Sequence, residues 1–96
     1  MIKHIVLLKF KDGAPQEAVD DFLNHLRSLP SKIPTIRNPI LGKAIPQTMS
    51  GFTHSWICEF DDAATWQAYM DNPDHRAGGA KFVPIRGDSV VAVFEY

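Results

Sequence analysis

The sequence predicts an α+β domain whose elements follow one another in the order β-α-β-β-α-β. Two observations support this prediction. Several stretches rich in Ile, Val, Phe and Trp have the composition of strands, and two others carry apolar residues at the three- and four-residue spacing of an amphipathic helix. The chain has 96 residues, which is the usual length of one small domain. We therefore expect a single domain over residues 1–96.

The first strand and the first helix are the clearest elements. Residues 2–10 form a nearly uninterrupted apolar run, which is typical of a strand covered on both faces. Residues 11–13 (Lys-Asp-Gly) are a turn signal, and Pro15 suits the first turn of a helix. Apolar residues at helical spacing then predict a helix over residues 15–29. These residues are Val19, Phe22, Leu23, Leu26 and Leu29.

The middle of the chain is divided by prolines. Pro30, Pro34 and Pro39 exclude a long helix and predict a loop followed by a strand over residues 37–45. Pro39 indicates an edge strand or a bulge, because proline cannot donate a ladder hydrogen bond. Residues 52–60 have the aromatic and β-branched content of a strand and predict the third one.

The last third of the chain predicts a short helix and a final strand. Asp61 and Asp62 can cap a helix that ends before Pro73. Residues 73–87 are interrupted by glycine and proline and predict at most a helical turn over 77–82, whereas residues 88–96 predict the fourth strand. The resulting order is the split β-α-β motif of ferredoxin-like domains, in which both helices cover one face of a four-stranded antiparallel sheet.

Side-chain alternation places apolar residues on both faces of this sheet. On the first strand, Ile5 and Leu7 point away from His4, Val6 and Leu8. A broad apolar face that no helix covers needs a partner, and a second copy of the same face can bury it in an isologous contact. We therefore expect a homodimer, built as a dimeric α-β barrel.

Composition excludes several classes of protein. The net charge is -1 and the basic residues are scattered, so the nucleic-acid footprint of a basic patch is missing. No stretch approaches the roughly 20 apolar residues of a membrane span. Cys58 is the only cysteine, and neither a nucleophile elbow nor a phosphate-binding glycine loop is present. We expect a cytoplasmic protein that binds neither nucleic acid nor membranes.

The four histidines are the most informative polar residues. His4 and His54 lie in predicted strands, and His75 follows the second helix, so these three are expected to meet between sheet and helices. A zinc site built from them is disfavoured, since no pair has the i, i+4 spacing of helical zinc ligands. His25, on the first helix, is expected to face solvent. The alternative reading of each strand histidine is a hydrogen-bonded core residue without chemistry.

Tyr69 precedes His75 by six residues across the end of the second helix. A phenol and an imidazole that is partly unprotonated at neutral pH form a hydrogen-bond donor and a base. The alternative is that Tyr69 is a core aromatic residue.

Several segments, taken in order along nearly the whole chain, resemble the stress-response A/B barrel (Dabb, dimeric α-β barrel) family. The most specific are the Lys-His opening, the Thr-His of the third strand and the Pro-x-His after the second helix. The segments are residues 2–11 (IKHIVLLKFK), 32–34 (KIP), 42–43 (GK), 51–54 (GFTH) and 69–75 (YMDNPDH).

The resemblance implies a ferredoxin-like protomer and a homodimer with a central β-barrel. A plant polyketide cyclase of this family performs a cofactor-free aldol cyclisation with a histidine and a tyrosine, which correspond by motif position to His75 and Tyr69. The resemblance also places His4 and His54 in the pocket wall. The implied apolar lining consists of Val6, Leu8, Phe22, Leu26, Trp56, Val91 and Val93.

The chain departs from that cyclase next to the implied site. Arg76, Gly78 and Gly79 follow His75 where the cyclase has a bulky aromatic residue, and Trp56 replaces a smaller aliphatic one. We therefore expect a pocket of different shape and a different substrate.

The function expected from these residues is that of a homodimer with a small hydrophobic pocket in each protomer. The pocket would bind, and cyclise or isomerise, a polyketide-like or aromatic carbonyl compound without a metal or organic cofactor. The alternative is a non-enzymatic stress-response or small-ligand-binding protein, and a weaker one is a cofactor-free monooxygenase of the same fold. The resemblance also allows a divalent ion near loop carbonyls, but no carboxylate cluster calls for one.

Overall fold

The computed structural model describes residues 1–96. Four strands and three α-helices follow one another along the chain, with one turn of 3₁₀-helix (Val83–Ile85) before the last strand. The elements are β1 (Ile2–Phe10), α1 (Gln16–Lys32), β2 (Arg37–Lys43), β3 (His54–Phe60), α2 (Ala63–Asp71), α3 (Pro73–Phe82) and β4 (Arg86–Glu95). None of these helices combines the length and hydropathy needed to cross a bilayer.

The strands form one antiparallel sheet in the order β2-β3-β1-β4. This is the strand order expected for the split β-α-β motif, and the predicted α+β ferredoxin-like fold is confirmed. β2 lies at an edge and shifts register between Arg37 and Ile40, so Pro39 occupies the irregular edge position that the sequence indicates. Asn38 has a positive φ of 47°, which marks the same irregularity.

The first helix is longer than predicted, because Pro30 does not end it. The helix continues to Lys32, and the N–H of Ile33 donates to the Leu29 carbonyl at 2.8 Å. A proline in the last turn removes one hydrogen bond close to a helix end, where few further bonds depend on it.

The third helix was predicted only as a turn, and that prediction is wrong. Pro73 occupies the first turn, where its missing N–H costs nothing, and the Asn72 side chain accepts a hydrogen bond from the Asp74 N–H at 2.8 Å. Gly78 lets α3 approach α1 closely, since a Cβ there would lie 3.0 Å from His25 Cδ2. Gly78 therefore serves the packing between these two helices.

His25 belongs to this helix contact, and the prediction that it faces solvent is wrong. Its side chain is half-buried, and its Nε2–H donates to the Asp74 carbonyl at 2.6 Å. The bond ties α1 to the first turn of α3, which is the turn that carries His75.

The core lies between the helices and one face of the sheet. On β1 this face carries Ile2, His4, Val6 and Leu8, and all but the half-buried Val6 are buried. Cross-strand partners share a face, so their partners on β3 point the same way. These partners are Phe60, Cys58, Trp56 and His54.

The opposite face of the sheet is apolar but has no helix over it. Ile5 pairs with Ile57 on one side and Ala92 on the other, and Leu7 pairs with Val90. Val90 and Phe94 remain 49% and 46% exposed in the protomer. We refer to the apolar residues of this surface as the bare face. They are Ile5, Leu7, Ile40, Ile57, Val90, Ala92 and Phe94.

Candidate active site

A cavity of about 250 Å³ lies between the covered face of the sheet and helices α1, α2 and α3. Val91, on the edge strand β4, belongs to its wall and is 56% exposed, so the cavity is open to solvent along this edge. No charged side chain is part of the lining. The lining residues are His4, Val6, Leu8, Phe22, Leu26, Trp56, Tyr69, Met70, His75, Gly78, Gly79, Phe82, Ser89 and Val91.

His75 stands in the first turn of α3 and presents a base to this cavity. Its Nδ1 lies 3.1 Å from the Met70 carbonyl, and because a carbonyl only accepts, Nδ1 carries the proton of the neutral ring. Nε2 is then left with its lone pair. Burial lowers the pKa of His75 and outweighs the opposing effect of the Met70 hydrogen bond, so the ring is unprotonated at neutral pH.

His4 has the opposite tautomer. The indole Nε1–H of Trp66 donates to His4 Nδ1 at 3.1 Å, so the proton of the neutral ring is on Nε2. Nε2 has no hydrogen-bond partner within the protein. Every fully buried side-chain nitrogen and oxygen has a partner, so Nε2 is not fully buried and is accessible from the cavity that His4 lines. Burial, together with the nearby His75, lowers the pKa of His4 to about 4. His4 is therefore a neutral donor.

Tyr69 lies between the two histidines. Its ring centroid is 4.4 Å from that of His75 and 5.6 Å from that of His4. Trp56 donates its indole N–H to the Tyr69 hydroxyl oxygen at 3.1 Å, so the phenolic proton remains free to be donated in turn. Burial raises the pKa of Tyr69, and the hydroxyl stays protonated.

The three side chains together form a base and two neutral hydrogen-bond donors in an apolar enclosure. Such a set can remove a proton from carbon while the donors stabilise the negative charge that develops on a neighbouring oxygen. The groups are neutral at pH 7, so an uncharged substrate meets no unpaired charge in the cavity.

The structure brings together all but two of the residues that the sequence placed in the pocket. Val93 does not line the cavity, although it pairs with His4 and lies on the same face of β4 as Val91. His54 is also elsewhere. The side chains that do line the cavity are His4, Val6, Leu8, Phe22, Leu26, Trp56, Tyr69, His75 and Val91.

His54 occupies a separate cleft at the other end of the sheet. The ring of Phe10 lies 5.4 Å from His54 and 6.0 Å from Phe22, and so stands between His54 and the cavity. His54 Nδ1 lies 2.9 Å from the Thr53 hydroxyl. Burial, with Lys43 and Arg27 nearby, lowers the pKa of His54. The zinc site conceived from His4, His54 and His75 is not assembled.

Sequence reasoning missed Trp66, Met70, Phe82 and Ser89. Trp66 was treated only as apolar helix surface, although it precedes Tyr69 by three residues and must share its side of α2. The role of the Met70 carbonyl had no signal, since a backbone group carries no sequence information. Phe82 could not be placed because α3 was not predicted as a helix.

Two plant proteins are similar in sequence to this chain. The chain is 30% identical over 76 residues to the olivetolic acid cyclase of Cannabis sativa, covering 77% of this chain and 75% of the cyclase. It is 29% identical over 86 residues to the stress-response A/B barrel domain-containing protein At5g22580 of Arabidopsis thaliana, covering 86% of this chain and 75% of that protein.

Solved structures show the same fold. A dimeric ferredoxin-like protein of unknown function from Thermobifida fusca superposes with a TM-score of 0.85 at 28% identity, covering 99% of this chain and 90% of the other. The hydroxynitrile lyase of Passiflora edulis superposes with a TM-score of 0.87 at 21% identity, covering 97% and 90%, and shares the fold. The model of the stress-responsive A/B barrel domain matches residues 2–96, and the chain belongs to this family.

Proposed function

We propose that this protein is a cofactor-free acid–base enzyme. It removes a proton next to a carbonyl group of a small polyketide-like or aromatic compound and thereby cyclises or isomerises it. The observation that carries this proposal is the pairing of an unprotonated His75 Nε2 with the Tyr69 hydroxyl in an uncharged cavity. The similarity to olivetolic acid cyclase supports it.

The proposed reaction uses only side chains of the cavity. His75 Nε2 takes the proton from the carbon, and the electron pair of the C–H bond moves onto the carbonyl oxygen as an enolate. Tyr69 and His4 donate hydrogen bonds to that oxygen. The enolate carbon attacks a second carbonyl of the same molecule, and protonated His75 returns its proton to the new alkoxide. Protons and electrons balance without any further reagent.

The volume of the cavity limits the size of the substrate. A cavity of about 150 Å³ already holds benzene, so 250 Å³ accommodates one ring with a few substituents. A longer substrate must extend through the opening at β4, past Val91.

Deuterium exchange tests the reaction without knowledge of the natural substrate. Acetophenone and 2′-hydroxyacetophenone in D₂O exchange their methyl protons slowly, and NMR follows the rate with and without the protein. We expect catalysed exchange, reduced roughly 10²–10⁴-fold in His75→Gln, because the amide cannot act as a base. Equal exchange in both variants contradicts the assignment of His75. Ligand binding without any exchange favours the alternative, a small-ligand-binding protein.

We also propose that the bare face pairs with the bare face of a second copy. The supporting observations are its half-exposed apolar side chains, such as Val90 and Phe94, and the dimers described for structural relatives. Light scattering coupled to size exclusion tests this proposal. We expect twice the protomer mass of 10.8 kDa, and the protomer mass at micromolar concentration contradicts it.

A further inference from the structure

Each of the two tryptophans in this chain donates its indole N–H to a titratable residue of the cavity. Trp56 donates to the Tyr69 hydroxyl, and Trp66 donates to His4 Nδ1, both at 3.1 Å. An indole N–H donates and never accepts, so each bond dictates the direction of the partner's remaining proton. For His4 the consequence is a choice of tautomer.

We propose that Trp66 is a positioning residue that holds His4 as the Nε2–H tautomer, so that His4 serves as a hydrogen-bond donor to a substrate oxygen and not as a second base. The use of this donor rests on the proposed function, whereas the tautomer itself does not. His4 and His75 thus have different roles although both are buried imidazoles of one cavity.

The choice of tautomer depends on this single hydrogen bond. Phe60 and Tyr69 also pack near the His4 ring, with centroids 6.5 Å and 5.6 Å away. Neither of them forms a hydrogen bond with Nδ1, and the Tyr69 hydroxyl is bonded to Trp56. If Trp66 did not donate, Nδ1 would be a buried acceptor without a partner, and the ring would gain little from keeping its proton on Nε2.

The tautomer matters because negative charge develops in the cavity during proton abstraction. A lone pair on Nε2 would face the enolate oxygen and repel it, whereas an N–H stabilises it. Burial keeps the ring neutral, so the stabilisation comes from one oriented dipole. In both rings Nδ1 has the partner outside the cavity, and the base and the donor differ only in what that partner does: the Met70 carbonyl accepts a proton from His75, and the Trp66 indole donates one to His4.

The arrangement follows from the positions of three residues. Trp66 and Tyr69 lie three residues apart on α2 and share the side that faces the sheet. His4 lies on β1 opposite Cys58, on the covered face. A helix that brings Tyr69 over the sheet therefore also brings the indole of Trp66 to His4.

Nitrogen NMR of the protein without ligand tests the tautomer directly. With ¹⁵N-labelled histidine and tryptophan, we expect the pattern of an Nε2–H ring for His4, an Nδ1–H ring for His75, and a scalar coupling across the hydrogen bond between Trp66 Nε1 and His4 Nδ1. A proton on Nδ1 of His4 overturns the proposal, and no variant is needed for this result.

A matched substitution then tests the cause. Replacement of Trp66 by 3-benzothienylalanine keeps the bicyclic shape and exchanges the N–H for sulfur. We expect the His4 signals to move toward a mixture of tautomers while those of His75 stay in place. The same replacement at Trp56 is the control, since it removes the bond to Tyr69 and leaves His4 unchanged. An unchanged His4 pattern in the Trp66 variant overturns the proposal.

Binding of 4-nitrophenolate, a small aromatic oxyanion, tests the use of the donor. We expect its affinity to fall about tenfold in the Trp66 variant, which corresponds to the loss of one good hydrogen bond. Unchanged affinity together with a changed tautomer contradicts the donor role. A protein that has the tautomer but catalyses no exchange of acetophenone protons retains the positioning role and loses the proposed function.

Discussion

The two faces of the sheet are similar in composition but differ in what their polar groups do. On the covered face, His4 and Tyr69 are almost completely buried, and each has a tryptophan as its partner. On the other face, Lys3 and Glu59 form an ion pair of 2.6 Å near solvent at one end of the strands. Under the helices, neutral side chains are thus held as oriented donors and acceptors, whereas on the other face this ion pair lies at the edge of the apolar surface.

This difference supports the proposed division, with chemistry on one face and association on the other. A buried neutral imidazole or phenol interacts strongly with a developing charge because little water screens it. An exposed apolar surface has no such groups, and its free energy falls when a partner removes it from water. Substitutions on either face test whether this division holds.

The largest effect is expected on the bare face, at Val90. The side chain is 49% exposed in the protomer, so an aspartate there remains solvated in the monomer but loses its water under a partner. We expect Val90→Asp to weaken the proposed dimer about a thousandfold, ~4 kcal/mol. Sedimentation equilibrium across a range of concentrations measures this change.

The matching control carries the same charge on the outside of the helical layer. Ala77 is exposed on α3, so Ala77→Asp should leave the dimer intact. Circular dichroism of both variants checks that the protomers remain folded. If Val90→Asp is as dimeric as Ala77→Asp, the bare face is not the interface.

The second effect concerns the covered face, where burial lowers the pKa of His4 from its ordinary 6.5 to about 4. Between these two pH values the unfolded chain binds more protons than the folded one. The contribution of His4 to stability is therefore complete above pH 6.5 and is lost as the pH falls toward 4. Urea unfolding should show a loss of about 3 kcal/mol from this residue over that range.

His4→Asn provides the comparison for the titration of His4. The asparagine carbonyl can accept from the Trp66 indole in place of Nδ1, but it does not titrate. We expect the variant to lose less stability than the wild-type protein between pH 6.5 and pH 4, even if it is less stable at pH 7. Parallel pH profiles for the two proteins contradict the assignment.

The sequence predicted the fold because it depends on short repeats, whereas most of the expected cavity wall was implied by the resemblance to the family. The alternation of His4, Val6 and Leu8 is visible along β1, and all three side chains point toward the helices. His54 obeys the same alternation, yet it lies outside the cavity because the ring of Phe10 stands in between. The face on which a strand residue lies therefore does not decide whether it lines the cavity, because the packing of neighbouring side chains decides that as well.

The tautomers of the site were not predictable for a related reason. A histidine in the sequence does not reveal which ring nitrogen will meet a donor or an acceptor. For His75 the partner is a backbone carbonyl, and for His4 it is an indole that comes from another element. Contacts between elements thus decide which histidine donates and which accepts. One of these histidines, His75, lies on α3, the helix that was not predicted.

The smallest effect is expected at Tyr69, where it separates the hydrogen bond from the packing of the ring. Tyr69→Phe keeps the aromatic ring but leaves the buried Trp56 N–H without an acceptor, which costs about 1–2 kcal/mol of stability. Removing both partners, in Tyr69→Phe with Trp56→Phe, should cost less than the sum of the two single changes, because no buried donor then remains unpaired. Urea unfolding of the four proteins gives this coupling. Strict additivity would mean that the indole is satisfied by water from the cavity, and the covered face would then be wetter, and its donors weaker, than its burial implies.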